Sequence, residues 1–216
     1  MNSAKKTLYI MGAGGFGREV ADLILQSAET SQKNYNLKGF LDDAPKQDEC
    51  QITGFPIFKY DEQLFDDNAS VVIAIGNAKV RETLFDRLSK AGVEIPTLIH
   101  PSASVSRFAH VSIGSIICQG VIVNAGASIR ENVILNVLST IGHDASVGAH
   151  SVIGPSSVVC GYCRIGNCVE LGACACMLPS ASLGDYGKLG SNSTLIRRGE
   201  EGAVYFGTPA KKIFTY

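Results

Sequence analysis

The chain has 216 residues, and its 19 lysine and arginine side chains nearly balance 20 aspartate and glutamate side chains, leaving a formal net charge of −1. This balance excludes a strongly basic chain and gives no support for nucleic-acid binding. Seven cysteines are an odd number, the first six residues are polar and no apolar run is long enough to span a bilayer, so we expect a cytoplasmic protein with reduced thiols and no membrane span.

The first predicted element is an apolar strand over Thr7 to Met11, followed by a glycine-rich loop and a helix over Arg18 to Gln26. This order of strand, GxGxxG loop and helix is typical of nucleotide-binding sites, because the glycines let the backbone approach a pyrophosphate at a helix N-terminus. A tight turn without a ligand is the alternative. The candidate binding residues are Gly12, Gly14, Gly15, Phe16 and Gly17.

A second strand, Leu37 to Leu41, ends in Asp42 and Asp43, whose carboxylates could accept hydrogen bonds from a ribose or a base. A solvated turn is the alternative for either residue. A third strand, Ser70 to Ile75, ends in two further candidates, Gly76 and Asn77.

Helical spacing then predicts a helix over Lys79 to Ala91 with Val80, Leu84 and Leu88 in the core. We therefore expect a parallel sheet of three or four strands in residues 1–97. This is half of a dinucleotide-binding fold, which favours a mononucleotide or nucleotide-sugar site over a dehydrogenase.

From Ile99 to Leu195 every sixth residue is a long or branched aliphatic side chain, and the residue four places later is nearly always small. A period of six fits neither an α-helix nor an ordinary amphipathic strand, and it indicates a parallel β-helix with aliphatic side chains inside and small ones at the corners. Glycine follows the aliphatic residue at several repeats, for example Gly142 and Gly148, which predicts tight turns there.

This pattern resembles the hexapeptide-repeat acyltransferase superfamily, which implies a left-handed β-helix with three hexads in each coil. Residues 18 apart should then lie one above the other, about 4.8 Å apart. We expect the β-helix to occupy residues 98–200 and a C-terminal tail to occupy residues 201–216.

His143 and Asp144 replace the usual neutral residues of one hexad and supply a base near neutral pH with a carboxylate to orient it. Gly161 follows His143 by 18 residues, so its N–H could face a thioester oxygen while the imidazole faces the nucleophile. A solvated pair at a corner is the alternative.

The remaining histidines and the cysteines give little indication of a metal site. His143 and His150 occupy different hexad positions, and we expect His150 at the surface. Cys160, Cys163, Cys168 and Cys176 fall at four different hexad positions, so convergence on a metal is not expected.

Six segments together resemble the nucleotide-sugar acetyltransferases of the bacillosamine and perosamine type: YIMGAGGFGREVADLI, GFLDD, VVIAIGNAKVR, LIHPSA, ILNVLSTIGHDASVGAHSVIGP and FGTPAKKI. The resemblance covers almost the whole chain, and the sialic acid O-acetyltransferases share the same broad family. It implies a homotrimer with active sites between subunits that transfers acetyl from acetyl-CoA to the 4-amino group of a nucleotide-linked 4-amino-4,6-dideoxy sugar in surface glycan biosynthesis.

By this resemblance, His143 is the general base, Asp144 its partner, Gly161 the donor to the thioester carbonyl, and Asn136 borders the sugar. Acetyl-CoA is expected to contact Gly161, Ala173, Ser191, Pro209, Lys211 and Lys212. Some relatives have a histidine where this chain has Phe16, which removes one diphosphate contact. The rival interpretations are a sialic acid O-acetyltransferase and a non-catalytic nucleotide-binding assembly module.

Overall fold

The computed structural model of the protein describes residues 6–29, 35–43, 53–61, 65 and 68–215. The N-terminal part is a parallel sheet with two helices, and from Leu98 onward the chain winds into a parallel β-helix. This confirms the predicted combination of an α/β part with a β-helix built from hexads.

The N-terminal sheet has four parallel strands in the order β3-β2-β1-β4. The strands are β1 (Lys6–Met11), β2 (Tyr35–Leu41), β3 (Ile57–Phe58) and β4 (Ala69–Ile73), and the helices are α1 (Gly15–Glu29) and α2 (Ala78–Lys90). The predicted strands and helices are therefore present, and α1 is longer than predicted at both ends. Neither of these helices is long and apolar enough to cross a membrane.

Helix α2 buries a different face from the one its aliphatic spacing predicts. Leu88 is fully buried and Leu84 is half-buried, but Val80 is 42% exposed, so its predicted place in the core is wrong. The buried face instead contains Ala78, Arg81, Phe85 and Leu88. A charged residue occupies this face because its guanidinium finds main-chain oxygens there, which an apolar pattern does not reveal.

The β-helix is made of two-residue strands in three parallel sheets. The covered sheet contains β5 (Leu98–Ile99), β8 (Ile116–Ile117), β11 (Ile134–Leu135), β14 (Val152–Ile153), β17 (Glu170–Leu171) and β20 (Lys188–Leu189), then β23 (Ala203–Phe206) and the antiparallel β24 (Lys211–Thr215). The apolar sheet contains β6 (Ser104–Val105), β9 (Ile122–Val123), β12 (Thr140–Ile141), β15 (Val158–Val159), β18 (Cys176–Met177) and β21 (Thr194–Leu195). The polar sheet contains β7 (His110–Val111), β10 (Ser128–Ile129), β13 (Ser146–Val147), β16 (Arg164–Ile165), β19 (Ser182–Leu183) and β22 (Arg198–Gly199).

Neighbouring strands pair residues that are 18 apart, such as Thr140 with Val158 and Ile134 with Val152. This confirms that three hexads make one coil. The second residue of each strand points inward, and from Ile117 to Leu195 these aliphatic side chains are buried. The small residues at the corners, including Ser115, Ala145 and Ser157, are buried as predicted.

The glycines that follow the inward residues are explained by contact between coils and not by turn geometry. A Cβ on Gly142 would lie 2.5 Å from the Gly161 nitrogen, and one on Gly148 would lie 2.3 Å from the Gly166 oxygen. The left-handed backbone conformation occurs two residues later instead, at Asp144 (φ 58°) among others. The predicted position of the tight turn was therefore wrong by two residues.

The outer faces of the three sheets have different surroundings. On the covered sheet, the outward-facing Ile116 and Ile134 are buried beneath the N-terminal part. On the apolar sheet, Ile122 and Val158 are 43% and 40% exposed, and the outward residues of its strands carry no charge. The polar sheet presents His110, serines, Arg164 and Arg198. Only the apolar sheet thus combines exposure with an uncharged surface.

Direct polar contacts join the N-terminal helices to the covered side of the β-helix. The Glu170 carboxylate accepts a hydrogen bond from the Ala78 amide at 3.2 Å, where it complements the N-terminus of α2, and pairs with Lys188 at 2.9 Å. The Gln26 side-chain oxygen lies 2.8 Å from His100 Nε2. These contacts hold α1 and α2 on the coils.

His150 is buried, so its predicted surface position is wrong. Helix α2 covers it: the Phe85 ring packs against the imidazole in an edge-on contact, and the Asn132 side-chain amide donates to Nδ1 at 3.0 Å. Desolvation lowers the pKa of His150 below its ordinary value of 6.5. Arg81 lowers it further, while the carboxylates of Glu82, Glu131 and Asp86 oppose the shift.

Because the folded state holds the pKa of His150 below 6.5, the unfolded chain takes up the proton first as the pH falls. The free energy of unfolding should therefore decrease as the pH falls below about 6.5, until the lowered folded-state pKa is reached. Denaturant unfolding of His150→Gln at about pH 7.5 and about pH 5.5 should show a weaker pH dependence than the unmodified protein. His110→Gln, at an exposed histidine, is the control and should retain the full dependence; equal slopes for all three proteins would contradict the prediction.

Candidate active site

His143 and Asp144 form a hydrogen-bonded pair at a corner of the β-helix. His143 Nδ1 lies 2.9 Å from Asp144 Oδ2 at the turn from β12 to β13, where the apolar sheet meets the polar sheet. We call the corners along this line, residues 124–127, 142–145, 160–163 and 178–181, the His143 edge. With the carboxylate as acceptor, Nδ1 carries the hydrogen and the Nε2 lone pair is left to accept a proton.

The Gly161 backbone lies directly beside the His143 imidazole, one coil further along the same edge. A Cβ on Gly161 would lie only 2.6 Å from His143 Nε2, so glycine leaves the space that the ring occupies. The neighbouring amides of Cys160 and Tyr162 donate to Met177 and His143 oxygens, whereas the Gly161 N–H has no acceptor within the described part of the chain. The predicted meeting of imidazole and amide is therefore present in the structure.

Two side chains that the sequence analysis missed complete this corner. The Tyr162 ring meets the His143 ring edge-on, with centroids 5.0 Å apart and planes at 89°. The Arg164 guanidinium donates a hydrogen bond to the main-chain oxygen of Asp144. The 18-residue stacking rule could have found Tyr162, since it follows Gly161 directly, but it gives no indication of the direction in which Arg164 points.

The glycine loop lies at the C-terminal ends of β1 and β4. Gly12 has φ 105°, and a Cβ on Gly17 would lie 2.1 Å from the Gly12 oxygen, so both glycines are required by the turn itself. A Cβ on Gly14 would meet no atom within 4 Å, which leaves open space above the N-terminus of α1. The Ala13 amide donates to Asp42 Oδ2 at 3.0 Å, so the structure brings this carboxylate to the loop.

Three other predicted residues, Asp43, Gly76 and Asn77, follow strands of the N-terminal sheet. Asp43 Oδ1 accepts a hydrogen bond from the Tyr60 amide at 3.1 Å. Asn77 caps helix α2, with its side-chain oxygen accepting from the Val80 amide at 3.0 Å. A Cβ on Gly76 would meet nothing within 4 Å, and a groove of about 400 Å³ runs from Gly76 to Ser191. Asp43 and Asn77 therefore have local structural roles in the folded chain.

Three of the remaining predicted residues lie on a second edge, where the covered sheet meets the apolar sheet. We call these corners, residues 118–121, 136–139, 154–157, 172–175 and 190–193, the Asn136 edge. Asn136, Ala173 and Ser191 all lie on it, and the amides of Ala173 and Ser191 have no acceptor among the described residues. Asn136 uses its side-chain oxygen to accept from the Val137 amide at 2.7 Å.

The C-terminal tail packs against this second edge. Thr208 Oγ1 donates to the Asn192 oxygen and the Ala210 amide to the Thr194 oxygen, which places the exposed Pro209 beside the last coils. Lys212 pairs with Glu200 at 2.7 Å, and this hydrogen bond raises the pKa of Lys212. Lys211 is exposed.

The glycine loop opens toward the Asn136 edge of its own chain. A cleft of about 210 Å³ runs between α1 and the coils, and it is lined by Phe16, Gln26, His100, Gln119 and Val137 among others. The predicted site residues therefore form two groups in one chain. His143, Asp144 and Gly161 are on one edge, while the glycine loop, Asn136, Ala173, Ser191 and the tail face the other.

The cysteines of the described ranges are free thiols. Cys160 and Cys176 lie on neighbouring coils of the β-helix. Cys163 packs inside and donates to the Leu178 oxygen at 3.1 Å, and burial raises its pKa to about 11. Across the described ranges, no group of three or more histidine, cysteine, aspartate or glutamate side chains is arranged to hold a metal ion.

Comparison with known proteins finds matches to both parts of the chain. Residues 7–88 match the family described as the PglD N-terminal domain. The matched residues include the glycine loop, Asp42 and most of α2, so the match covers the predicted nucleotide-binding half.

The whole chain has the fold of the acetyltransferase domain of PglB from Neisseria gonorrhoeae FA1090, whose structure in complex with acetyl coenzyme A matches 97% of this chain and 100% of that chain, with a TM-score of 0.88 and 28% identity. PerB from Caulobacter crescentus, solved in complex with CoA and GDP-perosamine, matches 99% of both chains with a TM-score of 0.84 and 24% identity. The resemblance to acetyltransferases of the bacillosamine and perosamine type is thus confirmed.

A curated relative matches over a shorter stretch. UDP-N-acetylbacillosamine N-acetyltransferase from Bacillus subtilis (strain 168) is 34% identical over 115 residues, which are 52% of this chain and 51% of that protein. The match therefore spans about half the length of the curated relative.

Substituting Gly161 tests whether the free space beside His143 matters. Gly161→Ala places a Cβ 2.6 Å from His143 Nε2, so the imidazole must move, and we expect the rate of thiol release from acetyl-CoA to fall about 10- to 100-fold. Pro179→Ala, one coil further along the same edge, is the control and should leave the rate nearly unchanged. A Gly161→Ala protein with full activity would show that this contact has no part in the reaction.

Proposed function

We propose that the protein transfers an acetyl group from acetyl-CoA to the 4-amino group of a 4-amino-4,6-dideoxy sugar carried on a nucleoside diphosphate. The observation that carries this proposal is the His143 and Asp144 pair beside the free Gly161 amide. A general base and an unoccupied N–H donor at one corner are the two groups that acyl transfer to an amine requires. The likeness of the whole chain to a PglB domain bound to acetyl coenzyme A supports the choice of acyl donor.

In this mechanism His143 Nε2 takes a proton from the sugar amine as the amine nitrogen attacks the thioester carbonyl carbon. Asp144 holds the imidazole through Nδ1 and stabilises the imidazolium that forms. The Gly161 N–H donates to the carbonyl oxygen as it becomes negative. When the carbon–sulfur bond breaks, His143 returns the proton to the departing CoA sulfur, which leaves the amide product and the free thiol.

The PglD N-terminal domain would hold the nucleotide. The amides of the glycine loop at the N-terminus of α1 suit a diphosphate, and Gly14 and Gly15 leave room for it. Asp42, which accepts from the Ala13 amide, and the exposed Asp43 would contact a ribose or base, with Gly76 and Asn77 at the neighbouring strand end. Asn136 would border the sugar. Because Phe16 replaces a histidine of some relatives, it adds apolar contact instead of a diphosphate contact.

The two-edged distribution of the site supports a homotrimer with active sites between subunits. The apolar sheet lies between the His143 edge and the Asn136 edge, and its outer face is exposed and uncharged. Three copies could pack around a common axis, each with this face turned toward the axis. The His143 edge of one copy would then lie against the Asn136 edge of the next. Acetyl-CoA would then lie between Gly161 of one copy and Ala173, Ser191, Pro209, Lys211 and Lys212 of its neighbour.

We propose that the protein acts in the biosynthesis of surface glycans, in which amino sugars are modified while they are still attached to nucleotides. Acetyl-CoA and nucleotide sugars are cytoplasmic metabolites, so we assign the enzyme to the cytoplasm.

Removal of the base tests the assignment of His143. With acetyl-CoA and UDP-, GDP- and dTDP-linked 4-amino-4,6-dideoxy sugars as acceptors, His143→Asn should lower kcat by about 10²- to 10⁴-fold, measured by thiol release. His110→Asn, on the first coils, should retain normal kcat. Near-normal turnover by His143→Asn would remove the base from the mechanism, and turnover of hydroxyl sugars alone would favour O-acetylation.

Mixed assemblies test whether one active site needs two copies of the chain. We expect His143→Asn and Gly14→Trp each to be inactive, the second because the indole fills the open space at the nucleotide loop. When the two proteins are unfolded together and refolded as an equal mixture, about a quarter of the sites in a trimer should combine an intact His143 edge with an intact loop from the next copy. A mixture that stays inactive would place the whole site within one chain.

A further inference from the structure

Arg81 is a fully buried cation whose hydrogen bonds go to neutral oxygens. Its guanidinium donates to the main-chain oxygens of Ile73, Ile75 and Asn132 and to the Asn132 side-chain oxygen. Burial lowers the pKa of this group, and a buried charge is costly unless it is fully hydrogen-bonded. An apolar side chain of the same size would fill this space without that cost, so the donors of Arg81 have a role beyond packing.

One end of this network supports the glycine loop. Ile73 is the last residue of β4, and Ile75 comes directly before the candidate binding residue Gly76. The loop rests on the same segment, since a Cβ on Gly12 would lie 3.0 Å from both the Ala74 oxygen and the Ile75 side chain. The guanidinium therefore holds the strand end on which the proposed nucleotide site is built.

The other end of the network is in the β-helix. Asn132 is fully buried just before β11, the strand that leads to Asn136. Its side-chain amide donates both to the Arg81 main-chain oxygen and to His150 Nδ1 of the next coil, at 3.0 Å each. Arg81 and Asn132 thus bond to each other in both directions, and the link extends over two coils.

We propose that Arg81 is a positioning residue that, through Asn132, fixes the nucleotide loop relative to the coils and so sets where a nucleotide-held sugar presents its amine. This inference rests on the proposed acetyl transfer. Arg81 has no access to substrate, because it is fully buried, and so it acts only through the parts that it joins. Displacement of a reacting group by about 1 Å can cost about 10²-fold in rate, so a loosened link should affect acceptors that are held by the nucleotide.

The test compares two acceptors, the nucleotide-linked amino sugar that the unmodified protein uses best and methyl 4-amino-4,6-dideoxyglucoside, which has no nucleotide. Arg81→Met keeps the length of the side chain and removes its donors. We expect kcat/KM for the nucleotide-linked acceptor to fall about 10- to 100-fold, while the rate with the methyl glycoside and the KM for acetyl-CoA change less than about twofold. Lys90→Met, at an exposed position of the same helix, should change none of these values.

Equal losses with both acceptors would overturn the proposal, because they would indicate general damage to the fold or to catalysis. An Arg81→Met protein with unchanged rates would overturn it as well. If that variant does not fold, Arg81→Lys replaces it, since lysine keeps the charge but loses the planar fork of donors. Its kcat/KM for the nucleotide-linked acceptor should fall selectively, but by a smaller factor. Absence of acetyl transfer in the unmodified protein would instead count against the proposed function. In that case, calorimetry with UDP and GDP still tests the link: weaker binding by Arg81→Met than by Lys90→Met would support the role of Arg81 in holding the loop, and equal binding would overturn it.

Discussion

The stacking of coils in an 18-residue register is the constraint on which the rest of the structure depends. Each corner residue lies directly beside the residue 18 positions later, held there by main-chain hydrogen bonds between paired strands. This register brings His143 and Gly161 together, although they are 18 residues apart in the chain. It also explains why glycine is needed where one coil passes close to the next, because even a methyl group would collide with the adjacent backbone.

Much of the fold and one half of the site follow from the sequence for this reason. The six-residue period fixes the inward side chains, and the 18-residue repeat places Gly161 beside His143. Arg81 and His150 could not be predicted in the same way, since their burial depends on how α2 lies across the coils, and no period records that. Val80 was misplaced for a related reason: its aliphatic side chain fits a core position, but the helix turns a charged residue inward instead.

The predicted site residues lie on two edges, so they form two separate groups and not one site within a single chain. Gly161 and Ala173 are only 12 residues apart, but 12 residues are two thirds of a coil, so they lie on different edges of the same prism. The apolar sheet between these edges is therefore the spacer between the two groups of residues, and in the proposed trimer it would also be the face through which the copies associate.

The N-terminal part docks at Asn132 and Glu170, away from the His143 edge. The number of coils therefore sets the distance along the axis between the docked part and His143. Insertion of 18 residues between Asn132 and His143 would carry the imidazole about 4.8 Å along the axis and return it to the same edge. An insertion of six residues would instead rotate it onto another face. In this architecture the distance along the axis between the docked N-terminal part and the imidazole can therefore change only by whole coils if the imidazole is to stay on the same edge.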